Sequence, residues 1–387
     1  MIDVVGSRCC GCTACKDVCP QGCIAMLPNE EGFLYPSVDR SKCVGCDLCE
    51  KVCPVLSRKS KEDAFYKNVR ETYAAVSKDR KTLSESSSGG VFTSLAKNTL
   101  REGGHVFGAA FSDDFRTVQH VVIDRIENLN DLRGSKYLQS ELGNSFSQCK
   151  EYLSKGDKVL FTGIPCQIAG LKRFLGREDE NLTCVEVICH GTPSVKVWKK
   201  YLDHVEAKQG KTKEASFRDK TVGWNNFGMK ISSVTGQELK EIHQGNTYMA
   251  VFLRNFALRE SCYECPAKGE NTCADITLGD FWGIQNAYPE YYDDQGVSVV
   301  VVHTEKGKKA LEEVAEDLVL HETDPFKSLE DNWIIYKPVE RPAERDTFYQ
   351  DLDRRSWKWI VNKYLDQRSV VERGIDLLRR VKRAVVG

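Results

Sequence analysis

Two copies of one cysteine motif constrain this chain more than any other feature of its sequence. Each copy has the spacing Cys-x-x-Cys-x-x-Cys-x-x-x-Cys-Pro, and both lie near the start of the chain. In proteins that carry two neighbouring [4Fe–4S] clusters, such a motif supplies three thiolates to one cluster and its fourth thiolate to the other. The motifs therefore predict two cubane clusters, one held by Cys9, Cys12, Cys15 and Cys53 and the other by Cys43, Cys46, Cys49 and Cys19.

Zinc is the alternative for these cysteines, because paired Cys-x-x-Cys motifs also bind zinc. A zinc site takes four ligands and does not require third and fourth cysteines in this register. The proline after each fourth cysteine, Pro20 and Pro54, ends a short helix and turns the chain so that the fourth sulfur faces the other cluster. We therefore expect a bacterial-type double-cluster ferredoxin domain over residues 1–60.

Length and composition exclude several classes of protein. The chain has 387 residues, enough for two or three domains with a substantial core. Its 17 cysteines do not indicate a disulfide-rich secreted protein, because eight fit the cluster motifs and a chain of this size needs no cross-links. No signal-peptide stretch and no run of eighteen apolar residues is present, so we expect a cytoplasmic protein. A formal charge of −1 gives no reason to expect nucleic acid as a partner.

After a charged linker over 57–67, a strand over 72–77 opens a second region, which we expect to span 68–150. Ser88, Gly89 and Gly90 precede a segment with helical spacing. Serines and glycines at a helix start expose backbone N–H groups toward an anion, such as the phosphates of FAD. An ordinary helix cap with a flexible glycine pair explains the same residues.

Two further features of this region bear on the flavin site. The segments 105–112 and 117–124 predict a β-hairpin. The segment 133–140 combines a cation, hydroxyls and an amide, with Lys136 and Ser140 as its candidate flavin or phosphate contacts. A polar surface loop would have the same composition.

Two consecutive strand–turn–helix units follow, with strands over 158–162 and 184–188. Consecutive units of this kind imply parallel strands, and ligands gather at the carboxyl ends of such strands. Cys166 and Cys189 both lie at those ends, at helix N-termini that favour a thiolate. Two buried, inert cysteines are the alternative.

A third cysteine group follows a segment over 217–242 that has the pattern of antiparallel strands. Cys262 and Cys265 form a Cys-x-x-Cys-Pro pair, which is half of a metal site. Cys273 is close in sequence, whereas Cys166 and Cys189 are candidates to be close in space. We expect a third [4Fe–4S] cluster, with structural zinc or a cysteine pair as alternatives. The cysteines that fit no ligand pattern, and that we assign to packing, are Cys10, Cys23, Cys149 and Cys184.

The C-terminal end is basic. From residue 354 onward the chain carries ten Lys and Arg against three acidic residues, a net charge of +7, with aromatic and aliphatic residues between them. Such a helix suits contact with anionic lipid at the inner membrane face or with an acidic partner such as a ferredoxin. A solvated helix packed on its own domain is the alternative.

The expected fold class is α/β, or α+β overall. The ferredoxin domain precedes a mixed α/β flavin-binding core and a C-terminal basic helical tail. Within the core we expect a strand over 297–302 and a charged helix over 306–318. The expected divisions are 1–60, 68–150, 151–345 and 346–387.

Over roughly residues 72–345 the chain resembles the coenzyme F420 hydrogenase/dehydrogenase beta-subunit family, including bacterial members found beside capsular-polysaccharide genes. The matching motifs are the Ser-Gly-Gly helix start, Gly-Ser-Lys-Tyr-Leu-Gln-Ser, Gly-Ile-Pro-Cys-Gln, Cys-His-Gly-Thr-Pro-Ser, Cys-x-x-Cys-Pro and Asp-Ile-Thr-Leu-Gly-Asp-Phe-Trp-Gly. The resemblance implies non-covalent FAD and an iron–sulfur relay. By motif, the flavin contacts would be Ser88, Gly89, Gly90, Lys136 and Ser140, and the third cluster's ligands Cys166, Cys189, Cys262 and Cys265. Cys273 and the basic tail lie outside the family pattern.

The expected activity is that of an oxidoreductase. Electrons from a ferredoxin or another redox protein would pass along the clusters to FAD, which would reduce a small organic substrate such as coenzyme F420 or a nucleotide-linked sugar. In the reverse direction, the substrate would be oxidised and its electrons would pass to the redox protein. Lys136 would stabilise the reduced flavin and His190 would donate a proton. An electron-transfer subunit without its own substrate, and a structural iron–sulfur protein without flavin, are the alternatives. A homo-oligomer is compatible with the sequence.

Overall fold

The cysteine motifs fold into two copies of the same short loop-and-helix turn. The computed structural model describes residues 1–56 and 68–365, so the expected linker and most of the basic tail lie outside the described residues. In each motif, a glycine before the second cysteine adopts a positive φ, +72° at Gly11 and +67° at Gly45. The residue after that cysteine is also left-handed, Thr13 in one copy and Asp47 in the other, and a one-turn helix follows. Equal spacing thus gives equal backbone geometry.

The strands in the described part of the chain are β1 (Ile24–Pro28), β2 (Leu34–Val38), β3 (Glu71–Ser77), β4 (His105–Phe111), β5 (Val118–Ile123), β6 (Ser140–Glu141), β7 (Val159–Gly163), β8 (Leu182–Val187), β9 (Thr212–Asp219), β10 (Gly228–Ser233), β11 (Glu238–Ile242), β12 (Ile276–Asp280), β13 (Ser298–Val302) and β14 (Leu318–Thr323). The α-helices there are α1 (Ala14–Asp17), α2 (Leu48–Lys51), α3 (Arg80–Glu85), α4 (Val91–Arg101), α5 (Leu129–Leu132), α6 (Ser145–Ser154), α7 (Pro165–Leu175), α8 (Val195–Gln209), α9 (Thr247–Leu253), α10 (Ile284–Ala287), α11 (Glu305–Glu312), α12 (Pro325–Leu329), α13 (Arg345–Arg354) and α14 (Trp357–Tyr364).

A nine-stranded mixed sheet forms the centre of the molecule, in the order β14-β3-β13-β12-β8-β7-β4-β5-β6. The pairs β4–β7, β7–β8 and β8–β12 are parallel, so the predicted βα units and the mixed α/β fold class are confirmed. β4 and β5 form the predicted hairpin. The predicted antiparallel strands are confirmed as a separate three-stranded sheet, β11-β10-β9.

Both faces of the large sheet are covered, which explains its apolar central strands. On β4, Val106 packs with α4, α5 and α11 on one face, whereas Phe107 packs with α6 and α7 on the other. Such alternation follows from the two-residue period of a strand. The helix-covered face with α6 and α7 also receives Cys10, Cys12 and Val52, so the ferredoxin region packs directly on it.

The expected helix over 306–318 is too long. α11 ends at Glu312, and after a 3-10 turn at Ala315–Asp317 the chain enters β14, which pairs antiparallel with β3. Charged residues before Leu318 continue the helical pattern in the sequence. The pairing with β3, more than 200 residues away, determines the strand.

The described part of the basic tail packs on the protein. Trp357, Ile360 and Tyr364 of α14 are buried in the core that also contains α8 and α9. The basic residues from 368 onward lie outside the described residues. No helix that the structure describes is long and apolar enough to cross a membrane.

We expect Gly170→Val to weaken the packing of the ferredoxin region on α7. A Cβ at position 170 would lie 2.8 Å from Cβ and 3.0 Å from Sγ of Cys12, too close without displacement. Overpacking of this kind costs about 1–3 kcal/mol. Chemical denaturation and iron content per chain measure the effect. Gly245→Val is the control, because a Cβ there makes ordinary contacts of 3.7 Å or more. Equal stability and iron content in both variants would contradict this packing.

Candidate redox centres

The eight motif cysteines surround two cavities. The first cavity is lined by Cys9, Cys12, Cys15 and Cys53. The second cavity is lined by Cys19, Cys43, Cys46 and Cys49. Each cavity therefore brings together one of the two quartets expected from the motif register. Four thiols around one cavity are the donor set that a [4Fe–4S] cubane requires.

The two cavities differ in their access to solvent. The four cysteines of the first cavity are buried, whereas Cys46 of the second is exposed and its three companions are half-buried. Exposed apolar side chains of Met1, Val44 and Leu48 line the second cavity. The second cavity is thus the one that a partner protein can approach.

A third group consists of Cys166, Cys189, Cys262 and Cys265. Cys166 follows β7 and Cys189 follows β8, so the parallel pairing of these strands brings both to one edge of the sheet. Burial raises the pKa of Cys189 to about 12, and the nearby Cys262 and Cys265 contribute to the rise. Burial likewise raises the pKa of Cys265 to about 11, with Cys262 adding to the rise. Cys189 and Cys265 also raise the pKa of Cys166, so the four half-buried cysteines are neighbours.

Cys273 lies elsewhere. Burial raises its pKa to about 12, and the charged neighbours that the described residues provide include Glu186 and Lys172. Cys184, buried in the core, is also close to it. The structure thus groups Cys273 with Cys184 and leaves it out of the group formed by the other four.

Sequence reasoning missed a bridging thiol. Cys10, which the sequence assigned to packing, is buried and also lines the first cavity. Hydrogen bonding to Cys12, and then to Cys166, lowers its pKa well below the ordinary value. Cys10 therefore lies between the first and third cysteine groups. Its position directly after Cys9 was the one sequence signal. Of the other cysteines assigned to packing, Cys149 is buried in the core, whereas Cys23 lines the second cavity with its Sγ 3.3 Å from that of Cys19.

The serine–glycine segment before α4 bonds to the first residue of β13 and to the residue before it. Ser88 Oγ donates to the Val297 carbonyl at 2.9 Å, and the Gly89 amide donates to Ser298 Oγ at 2.9 Å. A Cβ at Gly89 would lie 2.7 Å from the Ser298 amide nitrogen, so the glycine allows a close approach to this strand. Gly90 has φ +90° and caps α4. Packing against the neighbouring strand thus explains why position 89 is a glycine.

Two cations from β9 and the loop after it reach the same segment. Arg218 Nη2 donates to Asp280 Oδ1 at 2.8 Å and to the Ser87 carbonyl at 3.2 Å. Its Nε and Nη1 are buried and have no hydrogen-bond partner among the described residues. Lys220 Nζ donates to the Ser88 carbonyl at 3.3 Å, and burial lowers its pKa to about 8. Asp280, which accepts from Arg218, belongs to the Asp-Ile-Thr-Leu-Gly-Asp-Phe-Trp-Gly motif. This motif was the one feature of the sequence that could have pointed to the Arg218–Asp280 pair.

Lys136 and Ser140 lie on the segment that leads to the third cysteine group. Ser140 Oγ accepts from Gln167 Nε2 at 2.9 Å and lies 2.9 Å from His120 Nδ1, and Gln167 directly follows Cys166. Lys136 Nζ donates to the carbonyls of Asp131 at 2.9 Å and Arg133 at 2.8 Å. Burial lowers the pKa of Lys136 to about 7. This side chain can therefore hold or release a proton near neutral pH.

His190 is less suited to donate a proton. Its Nε2 lies 2.7 Å from Asn255 Oδ1, and its ring contacts Phe252 with a centroid distance of 4.9 Å. Burial lowers its pKa to about 4. The imidazole is therefore neutral at pH 7, and the charged acid form is scarce.

These features define the chain as an iron–sulfur electron-transfer protein with two ferredoxin-type cavities and a further, half-buried cysteine group. Comparison with family models identifies the family of each region. Residues 8–56 match the 4Fe-4S dicluster domain. Residues 72–146 match the N-terminal part, and residues 156–327 the C-terminal part, of the beta subunit of coenzyme F420 hydrogenase/dehydrogenase. The chain belongs to the coenzyme F420 hydrogenase/dehydrogenase beta-subunit family, a family of oxidoreductases.

Comparison with solved structures gives a distant similarity. A chain of the F420-reducing [NiFe] hydrogenase complex from Methanosarcina barkeri, from a study of its xenon derivatization, is 20% identical with a TM-score of 0.46. The match covers 69% of this chain and 89% of that chain. No curated protein matches the chain.

We expect the stability of the protein to fall as the pH drops from 6.5 toward 4. Burial lowers the pKa of both His120 and His190 to about 4, against an ordinary value of 6.5. The pKa of each histidine is lower in the folded protein than in the unfolded chain, so the unfolded chain takes up protons first as the pH falls. The contribution of each neutral histidine to the free energy of unfolding is therefore complete above pH 6.5 and is lost below it. The loss should be of the order of 1–3 kcal/mol per histidine. Denaturation curves at pH 7 and 4.5 should show a smaller acid loss in His190→Gln than in the wild type, and equal losses would contradict the buried, neutral state.

Proposed function

We propose that this protein is a flavin-dependent iron–sulfur oxidoreductase that passes electrons from a ferredoxin or another redox protein to a small organic substrate. One observation carries the proposal: the cysteine groups form a series from the surface to the interior. The second cavity opens at the surface, the first is buried, and Cys10 connects a thiol of the first to Cys166. Electrons that enter at the surface can pass inward between neighbouring groups.

A third [4Fe–4S] cluster at Cys166, Cys189, Cys262 and Cys265 completes this series. The half-buried cysteines of this group are mutual neighbours, which fits the four-thiolate donor set of a cubane. We leave Cys273 out of the ligand set, because its neighbours are Glu186 and Lys172.

The unpartnered donors of Arg218 fit the phosphates of FAD. Its buried Nε and Nη1 groups need an acceptor, since an unsatisfied buried donor costs about 1–3 kcal/mol. Lys220 adds a second cation beside Ser88. FAD, when bound, exchanges between one-electron and two-electron transfer. Lys136, with a pKa of about 7, is the residue best suited to hold the proton that accompanies two-electron chemistry, and Ser140 belongs to the same end of the sheet.

The proposals for the substrate and for the cellular location rest on the family and on the state of the cysteines. Coenzyme F420 is the first candidate substrate because of the family, and a nucleotide-linked sugar is the second. The 17 cysteines are free, which suits a reducing compartment such as the cytoplasm. Contact of the basic tail with a membrane or an acidic partner stays a prediction, since most of its basic residues lie beyond the described residues.

The test is cofactor content after anaerobic purification. We expect about twelve iron atoms per chain, as three four-iron clusters require, together with one FAD. Cys189→Ala should lower the iron content to about eight, whereas Cys273→Ala, the matched control, should retain about twelve. Arg218→Ala should release FAD on gel filtration and leave the iron content unchanged.

Other outcomes would contradict parts of the proposal. About eight iron atoms and no flavin in the wild type would restrict the chemistry to the ferredoxin domain and favour an electron-transfer subunit without its own substrate. Equal iron loss in the Cys189 and Cys273 variants would contradict the ligand set. Unchanged FAD content in Arg218→Ala would contradict the phosphate contact.

A further inference from the structure

Arg259 is a buried cation that forms no ion pair with any carboxylate in the described part of the chain. Its side chain is almost fully buried, at 1% exposure. Nε donates to the Cys9 carbonyl at 2.6 Å, Nη2 to the Leu34 carbonyl at 2.8 Å and Nη1 to Gln139 Oε1 at 3.1 Å. Within residues 1–56 and 68–365, no carboxylate forms an ion pair with it. The guanidinium also faces the Tyr35 ring, with Cζ 4.2 Å from the ring centroid. Taking a charge out of water costs several kcal/mol, and an anion nearby would offset the part of this cost that these contacts leave.

Two of the cysteine groups lie close to the Arg259 guanidinium. On one side, the guanidinium lies against the loop that surrounds the first cavity, because a Cβ at Gly11 would be 2.9 Å from Nη1. On the other side, Arg259 is three residues before Cys262, whose amide donates to the Arg259 carbonyl at 2.9 Å. The guanidinium is also close enough to favour the thiolate forms of Cys9 and Cys262, so its positive charge acts on both the first and the third cysteine groups.

We propose that Arg259 is the counter-charge of the first and third clusters and raises their reduction potentials. Each reduction adds one electron to a cluster that its thiolates already make negative, and a nearby fixed positive charge stabilises the added charge. Arg259 keeps its proton throughout, because a guanidinium does not deprotonate in proteins. The electron comes from the donor protein, or from dithionite in a titration, and no proton transfer accompanies it. The part that concerns the third cluster rests on the proposed function, whereas the part that concerns the first cluster rests on the dicluster domain alone.

Arg345 provides a matched comparison. It is equally buried and also fastens the ferredoxin hairpin, but both of its terminal nitrogens donate to the Glu31 carboxylate, at 2.7 and 2.6 Å. Its charge is thus already balanced within the protein. If Arg259 only held the ferredoxin region in place, loss of either arginine would have the same effect.

The experiment is a potentiometric titration of the anaerobically purified full chain with dithionite, followed by electron paramagnetic resonance, on the wild type, Arg259→Gln, Arg259→Lys and Arg345→Gln. At the potential where the first cluster of the wild type is half reduced, we expect at least a tenfold lower reduced-to-oxidised ratio in Arg259→Gln, which is about 59 mV for one electron. Arg259→Lys keeps the charge and should stay within about threefold, as should Arg345→Gln. The exposed second cluster is an internal reference and should keep its potential in every variant.

The outcomes separate the two proposals. Iron content is measured first, and about eight atoms in the wild type would remove the third cluster but leave the test on the first cluster intact. An unchanged potential in a fully loaded Arg259→Gln, or an equal shift in Arg345→Gln, would overturn the counter-charge role. If Arg259→Gln fails to retain its clusters, Arg259→Lys decides, because a tenfold drop despite the retained charge would also overturn it.

Discussion

The approach of the first cysteine loop to helix α7 is the contact on which the arrangement of redox sites depends. Gly170 leaves room for the Cys12 side chain to lie against the helix. Cys166 is one helical turn earlier on α7, and residues four apart share a helix face. The same packing that docks the ferredoxin region therefore brings a ligand of the first cavity close to Cys166, with Cys10 between them. A side chain at position 170 would separate the two groups.

Sequence reasoning succeeded where a local pattern determined the structure. The cysteine register predicted which thiols would surround each cavity, because glycines and left-handed residues recur at the same offsets in both motifs. The parallel pairing of β7 and β8 followed from two successive strand–helix units, and it brought Cys166 and Cys189 to one edge. These results need no knowledge of distant partners.

The features that the sequence did not predict depend on contacts between distant parts of the chain. Arg259 binds the Cys9 carbonyl across 250 residues of sequence, so no local motif could identify it. The strand β14 exists because β3 pairs with it, although the preceding residues have a helical pattern. The sequence also left open what the segment before α4 binds. Its serines and glycines suit an anion or a neighbouring strand equally well, and in the structure Ser88 and Gly89 bond to Val297 and Ser298.

The distribution of charge in the interior explains why the protein and its cofactors belong together. The whole chain is close to neutral, yet the buried Arg218 and Arg259 and the half-buried Lys136 and Lys220 lie near the candidate sites. Asp280 pairs with Arg218, but two donors of that guanidinium stay unsatisfied among the described residues. Anionic groups that bind the folded chain and not the unfolded one stabilise it by mass action. If the proposed ligands and counter-charges are correct, they come from segments far apart in sequence, and cofactor binding is then coupled to assembly of the two regions.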